Sequence, residues 1–84
     1  MHYVYVLRSL RKANQFYFGF SSNLKRRIEE HNNGKSKATR PYLPWRLVFY
    51  EAFLNKNDAE RREKYFKTSK GRKTFKLIAR ESLS

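Results

Sequence analysis

Charged side chains occur on the inward face of a predicted helix, where apolar residues would be expected. In residues 22–33, Leu24 and Ile28 are spaced four apart and define the buried stripe of a helix. His31 falls within the same arc, and Arg27 lies at its edge. A lone histidine there is typical of a structural residue, and a lone arginine of a side chain whose stem covers the core. On adjacent turns, the two predict a small cationic patch beside the sheet.

A later predicted helix carries a carboxylate in a comparable place. Ala59 and Phe66 mark its inward stripe, and Glu63 lies between them. Burial of a carboxylate is costly unless the group is paired. We therefore expect Glu63 either to form an ion pair, with Arg27 or Arg62, or to hold a metal ion. The pattern alone leaves both interpretations open.

Two tyrosines share one face of a predicted hairpin. Tyr5 and Tyr17 point away from the apolar rows of their strands, so the hairpin brings two phenols side by side. Cross-strand aromatic packing explains such a pair without any function. Gly19 lies on the same face and allows another group to come close to the backbone. The pattern does not identify that group.

The elements that position these residues can be inferred from periodicity and capping. Residues 2–9, 16–21 and 45–53 alternate as strands do, and the polar turn at 11–15 predicts an antiparallel hairpin. Helices are predicted from Ser22 or Asn23 to about Asn33, from Asn55 or Asn57 to about Thr68, and over 72–80 after a break at 69–71. The order ββαβαα predicts an α/β fold, a small three-stranded antiparallel sheet flanked by helices.

The composition favours a nucleic-acid partner. The 84 residues are enough for one domain, residues 1–84, and the absence of cysteine excludes disulfides and thiolate metal sites. Twenty Lys and Arg against seven Asp and Glu give a net charge of +13, which predicts binding to a polyanion. No segment resembles a membrane-spanning or membrane-surface helix, and the N-terminus lacks a signal-peptide pattern. We therefore expect no membrane partner and a cytoplasmic location.

Two triplets in the predicted hairpin resemble a known nuclease signature. The sequence YVY at residues 3–5, eleven intervening residues and YFG at residues 17–19 resemble the paired triplets of the GIY-YIG nuclease superfamily. Tyr3 stands where the family has glycine, and Phe18 where it has isoleucine. Both are strand positions at which an aromatic residue can substitute, so the family fold is still expected.

The resemblance continues in order along nearly the whole chain. Residues 22–32 look like the family helix that follows the hairpin, with the family arginine at Arg27. Residues 59–64 look like the later helix, with the metal-binding glutamate at Glu63. The segments 47–51 and 70–72 resemble the short, stand-alone bacterial branch, which is related to the N-terminal domain of an excision-repair incision protein.

This resemblance implies a metal-dependent endonuclease that hydrolyses phosphodiester bonds in DNA, with a structure-directed and repair-related role. Tyr5, or a water that it polarises, would serve as base or deliver the nucleophile. Tyr17 would orient the phosphate or the water, and Arg27 would stabilise negative charge on the phosphate. His31 would transfer or position a proton, and Glu63 would hold one Mg²⁺ or Mn²⁺ ion.

The residue that takes the proton is left open between two candidates. A tyrosine has an unperturbed pKa near 10 and needs nearby positive charge to act as a base, for which Arg27 is the candidate. His31 would titrate near neutrality without such help.

Other cations are expected to bind phosphates without reading sequence. The set that flanks the proposed site is Lys25, Arg26, Lys35, Lys37 and Arg40. A C-terminal set either extends this track or forms a solvated face; it is Lys70, Arg72, Lys73, Lys76 and Arg80. DNA is expected as the partner before RNA, with specificity low, directed at nucleic-acid structure or supplied by a protein partner. The alternatives are a non-catalytic nucleic-acid-binding module on the same fold and a ribosome-associated, RNA-binding basic protein.

Overall fold

Three antiparallel strands form the centre of the protein. The structure is a computed structural model that describes all 84 residues. Strands β1 (His2–Ser9), β2 (Phe16–Ser21) and β3 (Trp45–Phe53) pair in the order β2-β1-β3. The helices are α1 (Leu24–Asn32), a 3-10 turn (Arg40–Tyr42), α2 (Lys56–Phe66), α3 (Ser69–Ile78) and α4 (Arg80–Leu83). The predicted α/β fold, its three-stranded antiparallel sheet and the bounds of all three strands are confirmed. None of the helices has the length and apolar character that crossing a membrane requires.

The central strand β1 is buried on both faces. Val4 and Val6 pack with residues of β2, α2 and α3, among them Phe18, Phe66 and Phe75. On the opposite face, the buried core cluster is Tyr5, Leu7 and Trp45, with Leu24 and Ile28 of α1 packed against it. Helices therefore cover both faces of the sheet, which is why all residues from Val4 to Leu7 are buried although the strand alternates.

Strand register sets the position of the tyrosines. Tyr5 lies directly opposite Gly19 of β2, and Leu7 lies opposite Tyr17. Side chains two residues apart share a face of a strand, so Tyr5, Tyr17 and Gly19 are on one side of the sheet. The pairing of β1 with β3 has a register shift between Val6 and Leu7, beyond the Tyr5 position.

Side-chain caps fix the starts of the helices. Asn23, not Ser22, caps α1, and its Oδ1 accepts a hydrogen bond from the backbone N–H of Arg26 at 3.1 Å. Asn55, not Asn57, caps α2, and it accepts from Asn57 N–H at 2.8 Å. Both fit the general preference of asparagine for this position.

The predicted break at residues 69–71 and the start of the last helix at residue 72 are wrong. Helix α3 begins at Ser69, because Thr68 Oγ1 accepts a hydrogen bond from the N–H of Gly71 at 3.0 Å and caps the helix. Gly71 is a packing residue: a Cβ there would lie 1.8 Å from the carbonyl oxygen of Tyr65 at the end of α2. The 3-10 turn and the four-residue helix α4 were not predicted from sequence.

Candidate active site

A chain of buried hydrogen bonds joins β1 to the loop after α1. The hydroxyl of Tyr5 lies 2.9 Å from Nε2 of His31, and Nδ1 of His31 lies 2.8 Å from Oγ1 of Thr39. Tyr5 is 1% exposed, and His31 and Thr39 are not exposed at all. His31 is therefore part of a continuous polar chain inside the protein.

Gly19 provides the space for the phenol of Tyr5. A Cβ at this position would lie 2.5 Å from the hydroxyl oxygen of Tyr5 and 2.9 Å from the ring of Tyr17. The group that comes close to this backbone is thus Tyr5, the residue directly across the ladder. The ring of Tyr17 lies 4.8 Å from the ring of His31 and 6.3 Å from the ring of Tyr5, measured between centroids. Two phenols and an imidazole therefore pack in one cluster.

Arg27 supplies the positive charge of this cluster. Its guanidinium donates to Oε1 of Glu30, one turn along α1, at 3.2 Å. The same guanidinium is near enough to the Tyr5 hydroxyl for its charge to favour the phenolate. Glu30 also pairs with Arg26 at 3.3 Å, so this carboxylate is already neutralised by two arginines.

Burial dominates the ionisation of the two candidate bases. Burial raises the pKa of Tyr5 to about 12; the neighbouring phenol of Tyr17 adds to the rise, and the charge of Arg27 opposes it. Burial, followed by the charge of Arg27, lowers the pKa of His31 to about 4. The expectation that His31 titrates near neutrality is wrong, because its ring is shielded from water next to a cation. The imidazole is neutral at pH 7 and offers one donor and one acceptor.

Glu63 lies on α2, close to the cluster and largely buried, with a relative exposure of 9%. Its ion-pair partner is Lys67, whose Nζ is 2.7 Å from Oε2. The predicted pairing with Arg27 or Arg62 is wrong: Arg27 binds Glu30, and Arg62 binds Glu51 of β3 at 2.8 and 3.3 Å. Glu63 is near enough to Tyr5 for its negative charge to raise the pKa of that phenol further.

The residues of the site fit only one style of metal binding. The structure contains no group of three or more His, Cys, Asp or Glu residues that could hold a metal ion. Glu63 offers a carboxylate whose one close partner, Lys67, has a half-exposed side chain that can move away. Mg²⁺ is commonly held by one or two carboxylates plus water and substrate phosphate, so a single glutamate is an adequate protein ligand.

The flanking cations are exposed, but not all are free. Lys25, Lys35 and Lys37 have exposed side chains on α1 and the loop that follows it. Arg26 binds Glu30, and Nε of Arg40 donates to the carbonyl oxygen of Gly34 at 2.9 Å. In the C-terminal set, Arg72 and Lys76 line a cavity of about 230 Å³ beside Phe18, whereas the other members do not.

Several residues that build the site were not identified from sequence. The side chain of Asn32 accepts from Trp45 N–H at 2.7 Å and donates to Trp45 carbonyl oxygen at 3.0 Å. The indole of Trp45 in turn donates to the carbonyl oxygen of Thr39 at 2.9 Å. Thr39 carries no periodic signal in the sequence. Lys67 could have been identified from sequence, because it follows Glu63 by four residues, the spacing of a helical ion pair.

The sequence matches the model of one protein family. Residues 1–76 match the GIY-YIG catalytic domain. UPF0213 protein CPE1444 of Clostridium perfringens is 40% identical over 84 residues, which cover 99% of this chain and 88% of that protein. UPF0213 protein SH2523 of Staphylococcus haemolyticus is 40% identical over 78 residues, covering 92% of this chain and 93% of that protein.

A solved structure agrees with the fold. The solution NMR structure of UPF0213 protein BH0048 from Bacillus halodurans aligns with a TM-score of 0.57 at 38% identity. The alignment covers 96% of this chain and 85% of that one. The family match spans both tyrosines, Arg27, His31 and Glu63. The chain belongs to the GIY-YIG family, with the short bacterial UPF0213 proteins among its relatives.

Proposed function

We propose that this protein is a metal-dependent endonuclease that hydrolyses phosphodiester bonds in DNA. The observation that carries the proposal is the convergence of Tyr5, Tyr17, Arg27 and His31 in one cluster, with the charge of Glu63 felt at Tyr5. The match to the GIY-YIG catalytic domain, a family that resembles nucleases in the motifs described above, supports the same reaction class. The net charge of +13 supports a polyanionic substrate.

Each residue has a role that its chemistry supports. Glu63 would hold Mg²⁺ or Mn²⁺, and the bound ion would supply charge neutralisation at the phosphate. Arg27 would hold a non-bridging phosphate oxygen and stabilise the negative charge that develops there. Tyr5 would first lose its own proton to solvent, a loss that burial opposes and the Arg27 cation favours. The phenolate would then accept the proton of the attacking water, while the phosphorus–ester oxygen bond breaks and the leaving oxygen takes a proton from solvent. Tyr17 would orient the water or the phosphate.

The exposed lysines beside the site bear on the choice of substrate. Lys25, Lys35 and Lys37 are free to contact phosphates and offer no base-reading geometry. We propose that the enzyme is directed to DNA structure, such as a branch or flap arising in repair, or that a protein partner supplies its target. We also propose a cytoplasmic location for the protein.

The test is cleavage of supercoiled plasmid and of branched, linear and RNA substrates in Mg²⁺ and in Mn²⁺. Glu63→Gln should abolish cleavage without changing DNA affinity measured in metal-free buffer. The matched control is Glu60→Gln on the same helix, a residue that pairs with Lys56 at 3.6 Å, and it should cleave like wild type. Cleavage that survives in Glu63→Gln would reject the role of the metal. If wild-type protein binds DNA but cleaves no substrate with either ion, the non-catalytic binding module is the correct interpretation.

A further inference from the structure

Tyr3 and Tyr50 form an aromatic pair on the surface of the sheet. Their ring centroids are 6.0 Å apart, and the ring planes are inclined by 64°. The four other tyrosines of the chain belong to, or pack against, one of the two core clusters, whereas Tyr3 and Tyr50 do neither. Tyr50 is 54% exposed. The pair therefore leaves an aromatic surface in contact with solvent that the hydrophobic core does not require.

The aromatic pair lies on the same face of the sheet as the candidate active site. Tyr50 is directly opposite Tyr5 in the pairing of β1 with β3, and Tyr3 precedes Tyr5 by two residues. Side chains at alternate positions of a strand share a face, so all three rings lie on the α1 side of the sheet. A recess of about 370 Å³ separates the aromatic pair from the start of α1, and its other lining residues are Ser22, Asn23, Leu24 and Lys25. A molecule in this recess would contact the face of the sheet that carries Tyr5.

Three consecutive cations connect the recess with the active site around the first turn of α1. Successive residues of an α-helix are about 100° apart around its axis, so Lys25 and Arg27 leave α1 on opposite sides. Arg27 lies beside Tyr5, whereas Lys25 lines the recess. Arg26 lies between them on the solvent side of the helix, and its side chain is 74% exposed. A DNA backbone held at Arg27 can therefore pass over Arg26 to Lys25, with a cation for a phosphate at each step.

We propose that Tyr50, with Tyr3 packed against it, is a stacking platform for an unpaired base of the DNA substrate. The inference rests on the proposed endonuclease and names the feature of DNA that directs it. A base inside a duplex is stacked between its neighbours, whereas an unpaired base in a flap, a branch or a mismatch leaves the stack at lower cost. Aromatic side chains stack on any base, so the platform distinguishes unpaired from paired bases and does not distinguish sequence. A continuous duplex gains only the phosphate contacts.

The first test measures binding in metal-free buffer and needs no cleavage. Fluorescence anisotropy compares a flap DNA with a continuous duplex that has the same number of phosphates. Tyr50→Ala should weaken flap binding by roughly 5- to 150-fold, the range for the loss of one stacked base, and should leave the duplex affinity unchanged. Tyr50→Phe should retain the flap affinity, because the aromatic ring is kept. The matched control is Leu54→Ala, which removes an 86% exposed apolar side chain just beyond β3 and should change neither affinity.

The second test locates the unpaired base. A 5-iodouracil in the single-stranded arm of the flap should form a photocrosslink to Tyr50, identified by mass spectrometry of the crosslinked peptide. The same base placed within the continuous duplex should not crosslink to Tyr50. A crosslink from the single-stranded arm that reaches neither Tyr3 nor Tyr50 would overturn the platform.

The results separate the platform from the proposed hydrolysis. Equal flap affinities of Tyr50→Ala and Leu54→Ala, or an equal loss of flap and duplex affinity in Tyr50→Ala, would overturn the platform. A wild-type dimer in analytical ultracentrifugation that Tyr50→Ala abolishes would also overturn it, because the aromatic pair would then be an interface between two copies of the chain. A wild-type protein that holds the flap through Tyr50 but cleaves no DNA supports the platform and overturns only the proposed hydrolysis.

Discussion

Replacement of Gly19 by alanine isolates the close approach between β2 and the phenol of Tyr5. The backbone of Gly19 is ordinary strand, so alanine brings no backbone strain, and the effect arises from the added methyl group alone. That methyl carbon would lie 2.5 Å from the Tyr5 hydroxyl oxygen, whereas ordinary contact begins at 3.4 Å. The phenol must therefore move by the difference, about 0.9 Å.

A displacement of that size reaches the hydrogen bond to His31. The Tyr5 hydroxyl oxygen lies 2.9 Å from Nε2 of His31. A displacement of this size away from the imidazole would take the hydroxyl beyond hydrogen-bond range. Overpacking a well-filled site typically costs about 1–3 kcal/mol of folding free energy. Misplacement of a catalytic group by about 1 Å can reduce the rate on the order of 100-fold. We expect Gly19→Ala to stay folded and to lose most of its cleavage activity.

The assays are urea denaturation and single-turnover cleavage of DNA, with Tyr5→Phe and the double variant alongside. Tyr5→Phe removes the hydroxyl oxygen but keeps Cζ, which would still lie 2.6 Å from the added methyl carbon, so the alanine should cost about as much stability in the double variant. The cleavage rates should be non-additive, because the alanine has no hydroxyl left to misplace when Tyr5→Phe is already present. A Gly19→Ala protein with wild-type stability and a wild-type cleavage rate would refute the role assigned to this contact.

Three further predictions follow from the same contacts. The pKa of His31 is about 4 in the folded protein and near 6.5 in the unfolded chain, so between these pH values the unfolded chain binds a proton that the folded protein does not. The free energy of unfolding should therefore fall as the pH drops from about 6.5 toward 4, by at most about 1.4 kcal/mol per pH unit. Urea denaturation at pH 7.5 and 5.5 checks this, and a His31→Gln variant with an equally steep fall would contradict it. Lys67→Met should tighten Mn²⁺ binding about two- to five-fold, because the lysine no longer competes with the ion for the Glu63 carboxylate. The control Lys64→Met should leave the Mn²⁺ affinity unchanged. Equal Mn²⁺ affinities in the two variants would show that Lys67 does not compete with the ion. DNA affinity should fall steeply with salt because phosphate contacts release counterions, and an affinity that is constant between low and high salt would rule out a phosphate-binding surface.

The strands could be predicted because their signals are local. Alternation over 2–9, 16–21 and 45–53, with polar turns between them, is sufficient to define strands of these lengths. The start of α3 could not be found in the same way. A glycine after a helix is typical of a stop, but Gly71 is required by the approach of two helices, which depends on tertiary packing.

The candidate site shows a similar division. Helical periodicity placed Arg27 and His31 beside the sheet and Glu63 on an inward stripe, and family resemblance supplied the roles that remain predictions. Arg27 and Arg62 were considered from sequence as partners of Glu63, whereas Lys67, which forms the ion pair, was not considered. Thr39 could not be found at all, because a loop has no periodicity, and its position depends on hydrogen bonds with Trp45 and with His31 across the fold.

A crystal structure of the protein with Mn²⁺ and a DNA carrying a cleavage-resistant phosphorothioate would test the proposed nuclease site most directly. We expect anomalous density at the Glu63 carboxylate, with the scissile phosphate between that ion and Arg27 and within reach of Tyr5. Lys67 should have moved off Glu63 to admit the ion. Manganese absent from Glu63, or DNA bound on a surface remote from Tyr5 and Arg27, would contradict the proposal that these residues form a nuclease active site.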